Sequence, residues 1–147
     1  IDSLEDYLKI EHLRFGDKFD YEIEADPVVR QDAVRVSPGL IQPFVENAIW
    51  HGVMGLTERK GSIRIALSMR DDNLVCTVED DGVGRTRSES MKDSTLPRKS
   101  RGISLATERM KIINNILLTN YRINITDLYP DRFETGTRVE IEIPVAP

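Results

Sequence analysis

Cysteine is almost missing from this sequence, with Cys76 the one thiol in 147 residues. A single cysteine closes no internal disulfide, and Cys76 sits in an alternating apolar stretch, which reads as a buried thiol in a reducing compartment. Histidine is scarce as well. His12 and His51 are the only two, and no Cys/His cluster has the spacing of a structural zinc site. No apolar run approaches the roughly 20 residues that a transmembrane helix needs, and no signal-peptide pattern opens the chain. Positive charge is not in excess either. Lys and Arg number 20 against 25 Asp and Glu, a formal net charge of -5, whereas a nucleic-acid-binding domain is usually basic. There is no Gly-x-x-x-x-Gly-Lys-Ser/Thr loop, no Gly-x-Gly-x-x-Gly fingerprint and no Gly-x-Ser-x-Gly elbow. A bound nucleotide would need another scaffold, and hydrolase-type nucleophilic catalysis has little support.

What is present describes one soluble globular domain, 39% hydrophobic and 31% charged, large enough for a single core. Ile1 rather than Met opens it, so the sequence reads as a piece of something longer. Residues 2 to 15 read as a helix: Asp2 or Ser3 can cap it, Leu4 and Leu8 stack one turn apart, and Gly16 can end it. Phe19 to Ile23 alternates as a strand does. Ser37-Pro38-Gly39 introduces a helix that ends near Gly52 and whose regular part is expected from Gln42, because Pro43 lacks a backbone donor. Ile63, Ile65, Leu67 and Met69, then Leu74, Cys76 and Val78, flank Asp71-Asp72-Asn73 and predict an antiparallel hairpin.

Residues 85 to 101 are polar and are expected to form a long mobile loop. Ile103, Ala106, Met110, Ile113 and Leu117 then form the stripe of an amphipathic helix. Ile123 and Ile125 predict a strand, and Val139, Ile141, Ile143 and Val145 a last one after the turn Thr135-Gly136. The order is that of an α+β fold. The expected architecture is a two-layer sandwich of a mixed, largely antiparallel sheet with helices on one face.

Three segments carry chemistry. In Phe44-Val45-Glu46-Asn47-Ala48-Ile49-Trp50-His51-Gly52, helical spacing puts Phe44, Val45, Ala48, Ile49 and Gly52 on a core face. Asn47 and His51 fall on the other side, with Glu46 and Trp50 beside them. A mid-helix Asn has poor propensity, and its amide oxygen is a hard ligand that suits Mg²⁺; the plainer reading is a solvated polar face. In Glu79-Asp80-Asp81-Gly82-Val83-Gly84, Asp80 presents a carboxylate at a strand end, placed to accept from the amino group of a base. The glycines there allow a close backbone approach. The plainer reading is an Asp-Gly turn. An EF-hand register fails, since it puts Thr77 and Ser88 where Asp and Glu belong. Arg101-Gly102-Ile103-Ser104-Leu105 opens a helix, where free N–H groups suit an anion, and Arg98, Lys99 and Arg101 add charge. Many ordinary helices also begin near glycine.

Together the segments are far more specific than singly. Residues 43 to 52 resemble the N box of sensor histidine kinases, especially the LytS-like family. Asp80-Asp81-Gly82-Val83-Gly84 resembles their G1 box, and Gly102-Ile103-Ser104-Leu105 is similar to the G2 box. Thr135-Gly136-Thr137 is similar to the closing glycine-threonine element. Order and spacing agree across residues 17 to 145. Tyr7 to Asp17 is similar to the helix leading into the ATP-binding domain, so residues 1–16 are expected as a linker helix and 17–147 as the catalytic domain. The resemblance implies the fold shared by gyrase, heat-shock chaperone, histidine kinase and MutL ATPases, with ATP and Mg as cofactors. Asn47 would then coordinate Mg²⁺ and Asp80 would bind the adenine amino group. Gly82 and Gly84 would let the backbone pass the base. Arg101, Gly102, Ser104 and Leu105 would meet the phosphates under a lid of about 85–101. Thr137, or else Thr135, would support the adenine pocket.

Several positions depart from the family pattern. Trp50 stands where many kinases have a phosphate-contacting Lys, which leaves that charge to His51 or the lid. Asp81 replaces a common Asn, and Ser104 the second glycine of the G2 box. Glu46 could polarise a water or the attacking histidine, yet it directly precedes Asn47, a different place from the general base of the related ATPases. Nothing matches the family's phosphate-accepting Pro-His-Phe-Leu-Phe-Asn-like motif, which lies upstream. The resemblance therefore implies phosphoryl transfer to a histidine on an upstream dimerisation domain. It also implies a homodimeric full-length protein, a response regulator partner of LytTR type, no nucleic acid, and a cytoplasmic domain of a membrane-anchored kinase. Two rivals remain: an ATPase or anti-sigma serine kinase of the same fold, and a degenerate module that only binds partners.

Overall fold

The computed structural model describes residues 1–30, 36, 38–90, 102–117 and 120–145. Its framework is one sheet of five strands in the order β1-β2-β3-β5-β4. The strands are β1 Phe19–Ala25, β2 Gly61–Arg70, β3 Asn73–Asp80, β4 Arg122–Thr126 and β5 Thr137–Pro144. Only β1 and β2 run parallel; the remaining neighbours are antiparallel. The chain path explains this mixture. Between β1 and β2 it leaves the sheet through helices, as a parallel connection must, whereas β2 and β3 need only the turn Asp71-Asp72. Asp71 takes φ 54 there, a left-handed conformation that aspartate tolerates better than most residues.

Alternation sorts the strands into two faces. Ile63, Ile65, Leu67, Leu74, Cys76, Val78, Val139, Ile141 and Ile143 are all buried and join the helices in one core. Each such side chain contributes about 1.5–3 kcal/mol on burial. The opposite face carries charges that pair across strands: Arg64 with Glu24 at 2.7 Å, Arg70 with Glu140 at 3.5 Å, and Arg138 with Glu79. A sheet covered on one side only produces this contrast.

The helices are α1 Asp2–Phe15, α2 Pro27–Arg30, α3 Pro38–Asn47, α4 Arg85–Ser90 and α5 Gly102–Leu117. Leu4 and Leu8 of α1 are buried as their spacing predicts, and Gly16 ends the helix at φ 57. The expected cap is not at Asp2 or Ser3. The Ile1 carbonyl already accepts from the N–H groups of Leu4 and Glu5, so the helix begins one residue earlier and has no side-chain cap. Helix α3 likewise starts before Gln42, at Pro38, with Pro43 inside it. The first helical position suits proline, and the donor missing at Pro43 frees only the carbonyl of Gly39, an exposed residue.

In α5, Met110 of the apolar stripe is buried, while Ile112 and Ile116, off the stripe, are exposed. Asn114 fixes the approach to β4: its amide donates to the Tyr121 carbonyl at 2.9 Å and accepts from the Tyr121 N–H at 2.8 Å. Among the described residues, no helix is long and apolar enough to cross a membrane.

Candidate functional site

The site begins where β3 ends. Asp80 is its last residue and is 3% exposed, although a carboxylate is the side chain least suited to such burial. Its Oδ1 accepts the Gly82 N–H at 2.9 Å. Burial pushes the Asp80 carboxyl up to about 7; the neighbouring Asp81 pushes the same way, and the Gly82 hydrogen bond pulls back. Thr137, 4% exposed, is its cross-strand partner on β5. The carboxyl therefore stands in a dry setting with a single hydroxyl-bearing neighbour across the ladder.

Three stretches of backbone close around it. A Cβ on Gly52 would stand 2.5 Å from Asp80 Oδ1, and one on Gly82 would collide with the Gly52 carbonyl. The same two turns are joined by the Val83 N–H, which donates to the Gly52 carbonyl at 3.3 Å. Gly136 N–H donates to the Gly82 carbonyl at 3.1 Å, which brings the turn before β5 into the cluster. Gly84 adopts φ 86 with its α-carbon against the Thr135 hydroxyl, so a side chain there is excluded by both conformation and space. Thr135 thus packs on the loop, and Thr137 is the threonine beside Asp80.

Asp81 points to the opposite side. Its Oδ1 accepts the Ser62 N–H at 2.7 Å, and its Oδ2 accepts from Arg59 at 3.0 Å. The other arm of the Arg59 guanidinium donates to the Asp81 carbonyl and, at 2.8 Å, to Glu134. Arg59 was not legible in the sequence, because its partners lie 22 and 75 residues away and no local pattern encodes them.

The N-box helix supplies the second wall. After Asn47 it widens into a π-helical turn, Ala48–Gly52, then a 3₁₀ turn, Val53–Gly55. Such π turns recur at functional sites because they redirect side chains out of the regular spiral. Phe44, Val45, Ala48 and Ile49 are buried as expected; Glu46, Asn47, Trp50 and His51 are half-buried. His51 Nε2 is buried with no hydrogen-bond partner, the kind of orphan that a ligand or water would satisfy.

Glu46 accepts from Gln42 one turn back at 3.1 Å. It also lies close enough to Tyr7 of α1 to help burial and Glu11 hold that phenol above its ordinary range. Trp50 meets Phe15 edge-on at 4.9 Å with the Arg14 guanidinium over its ring at 5.6 Å. The residue that departs from the usual Lys thus serves as a seat for the end of α1.

The segment expected to meet phosphates is described less completely. Gly102, Ser104 and Leu105 lie in the first turns of α5, which packs against α3; Arg101, Arg98 and Lys99 fall outside the described residues. Of the expected lid, residues 91–101 also fall outside them, and Arg85–Ser90 is a short helix and not a loop. Its support is tertiary: Arg85 pairs with Asp127 at 3.1 Å and the Arg87 guanidinium lies 4.1 Å from the Phe133 ring centre. A polar sequence with no stripe gives no sign of a helix held by contacts of its first turn.

No family model matches the chain, but other comparisons do. It is 29% identical over 144 residues to the sensor histidine kinase YpdA of Escherichia coli, covering 97% of this chain and 23% of that protein. It is 32% identical over 84 residues to the sensor protein LytS of Oceanobacillus iheyensis, covering 57% of this chain and 14% of that protein. The solved structure of the mycobacterial sensor histidine kinase MprB superposes with a TM-score of 0.66 at 15% identity, covering 99% of this chain and 94% of that one. The chain has the fold of that solved histidine kinase structure, and its sequence is similar to LytS over the 84 matched residues. The chain spans less than a quarter of the length of the curated relatives, 23% and 14%.

The geometry can be tested against the nucleotide that the sequence resemblance leads one to expect. An adenine amino group needs an acceptor, and Asp80, with glycine backbone rather than side chains packed around it, is a carboxyl of the right kind. For a metal, no cluster of three or more His, Cys, Asp or Glu exists among the described residues. The donor set instead fits Mg²⁺ held by one amide oxygen, Asn47, together with phosphates and water.

Proposed function

We propose that this chain is the Mg·ATP-binding catalytic domain of a sensor histidine kinase, and that it presents the γ-phosphate of ATP to a histidine on an upstream domain. Residues 1–16 are the linker helix from that domain, and residues 17–147 are the catalytic unit. The observation that carries the reading is Asp80, a buried carboxyl whose pKa is pushed up to about 7 and which, among the described residues, has no oppositely charged partner to offset its burial. Such a group costs stability in the empty protein, and a base amino group is the partner that repays it.

In this reading the Asp80 carboxylate accepts from the adenine amino group. Gly82 and Gly84 keep the pocket floor free of side chains, and Thr137 closes its inner edge. Asn47 would hold Mg²⁺, which when bound would offset the charge of the phosphates. His51 Nε2 and the N–H groups at Gly102, Ser104 and Leu105 face the phosphates, with Arg101 and the segment 85–101 closing over them. Glu46, held by Gln42 and turned toward α1, supplies no base to this step; the acceptor histidine is itself the nucleophile. Catalysis is then positioning and charge stabilisation.

The reading extends to the longer protein: a homodimer through the upstream helices, a membrane anchor with this domain in the cytoplasm, and a response regulator of LytTR type as the next acceptor. It also predicts slow phosphate release by this chain alone. Calorimetric titration with ATP, with and without Mg²⁺, tests it. The wild-type chain binds ATP, and Asn47→Ala loses the Mg²⁺-dependent part of the affinity, about tenfold. Rapid phosphate release would favour a hydrolysing ATPase of the same fold, and no ATP binding by the folded chain would favour a partner-binding module.

A further inference from the structure

Arg59 is absorbed by none of the roles above, yet it touches the site from outside. It stands in the segment between the 3₁₀ turn Val53–Gly55 and β2. Its guanidinium reaches three acceptors on two other loops: the Asp81 carboxylate at 3.0 Å, the Asp81 carbonyl, and Glu134 at 2.8 Å. Glu134 precedes Thr135 and Gly136, the residues packed on Gly84 and bonded to Gly82. The fork therefore ties together the loops that form the floor under Asp80. A planar guanidinium can do this and a lysine ammonium cannot, because the acceptors diverge and each N–H is already aimed.

The position of Asp81 adds a second consequence. Asp80 and Asp81 are adjacent carboxyls at a strand end, one facing the helices and one facing out. Arg59 and the Ser62 N–H together hold Asp81 outward, and the Arg59 charge offsets the Asp81 charge beside Asp80. Among the described residues, the groups facing this pair are Arg59 from the preceding loop, Arg132 and Glu134 from the loop before β5, and Thr137 across the ladder. We propose that Arg59 is a positioning residue for base recognition, acting through Asp81 to keep Asp80 an ionised, correctly placed acceptor for an amino-bearing purine. This rests on the reading of Asp80 as the base-binding group.

Base selectivity reports this role. ATP offers Asp80 an amino donor, whereas ITP, with an oxygen in that place, offers an acceptor; the two share ribose and triphosphate. Calorimetric affinities for ATP and ITP are measured for the wild-type chain and for Arg59→Gln. The wild type prefers ATP by at least about tenfold. Arg59→Gln loses about tenfold in ATP affinity with little change for ITP, so the ratio falls toward one. Adding Asp81→Asn, which removes the charge Arg59 offsets and keeps an oxygen for the Ser62 N–H, restores most of the ratio.

An equal loss for both nucleotides would make Arg59 a general structural residue and overturn the proposal, as would an unchanged ratio or no recovery in the double variant. Should Arg59→Gln fail to fold, Arg59→Lys keeps the charge without the fork. It is expected to lower the ratio by a smaller factor, and an unchanged ratio there also overturns the proposal. A wild-type chain that binds neither nucleotide would instead remove the underlying reading of Asp80.

Discussion

The two faces of the sheet end in different ways at the same place. On the helix side, β3 stops at Asp80, buried and bonded within its own turn to the Gly82 N–H. On the outer side, one residue later, Asp81 is half-exposed and bonded to Arg59 and Ser62, and behind it Glu79 pairs with Arg138. These outer charges are paired and partly exposed, the arrangement a sheet face adopts for stability and solubility. The inner carboxyl is dry and, among the described residues, has no cation bonded to it. Scaffold charges come with partners, and a buried charge without one marks the place where a partner from outside belongs.

The contrast can be broken most severely at Gly52. Gly52→Ala would set a methyl 2.5 Å from Asp80 Oδ1 and force apart the turns that form the floor. We expect ATP binding to fall below detection by calorimetry, with a loss of on the order of 2–4 kcal/mol in urea-melt stability from overpacking. An alanine variant that binds ATP normally would place the nucleotide elsewhere.

Asp80→Asn sharpens the contrast through pH. The folded-state pKa of Asp80, about 7, lies above the ordinary 3.8. The folded protein therefore holds this proton more tightly than the unfolded chain does. That contribution to stability is complete below about pH 4 and is lost as pH rises through 7. An asparagine stays neutral, so the variant without ligand should already exceed the wild type near pH 5 and exceed it by more at pH 8. Between the two the excess should grow by on the order of 2–3 kcal/mol, since pH 5 lies two units below the folded pKa of about 7 and a unit is worth about 1.4 kcal/mol. Chemical denaturation at the two pH values measures it; a wild type that is equally stable relative to the variant at both would remove the buried-charge argument. At the outer face the effect should be smallest. Glu79→Gln removes one partner of the Arg138 pair, and both stability and ATP affinity should stay within about 1 kcal/mol of wild type.

The hairpin, the last two strands and the buried face of α3 were legible because alternation and helical spacing are local. Asp80, Gly82 and Gly84 were legible because a strand end followed by closely spaced glycines is itself a local signal. Helix α3 starts before the expected Gln42 because Pro38 is preset for a first turn and the donor missing at Pro43 does not stop the helix. Helix α4 and Arg59 were hidden for one reason: their contacts, Arg85 with Asp127 and Arg59 with Glu134, join residues 42 and 75 positions apart. The departure at Trp50 had no evident purpose in the sequence and acquires one only when Phe15 and Arg14 are seen against its ring.

The most direct test of the central claim is the ATP affinity of wild type and Asp80→Asn, measured side by side at pH 8. The Gly82 N–H occupies Oδ1, so an asparagine would turn its NH₂ toward the adenine amino group, donor against donor. The account predicts saturable binding by the wild type and a loss of about a hundredfold or more in the variant, even though the variant is the more stable protein. Equal affinity in the two would contradict it, and would leave Asp80 a buried carboxyl with no part in binding the base.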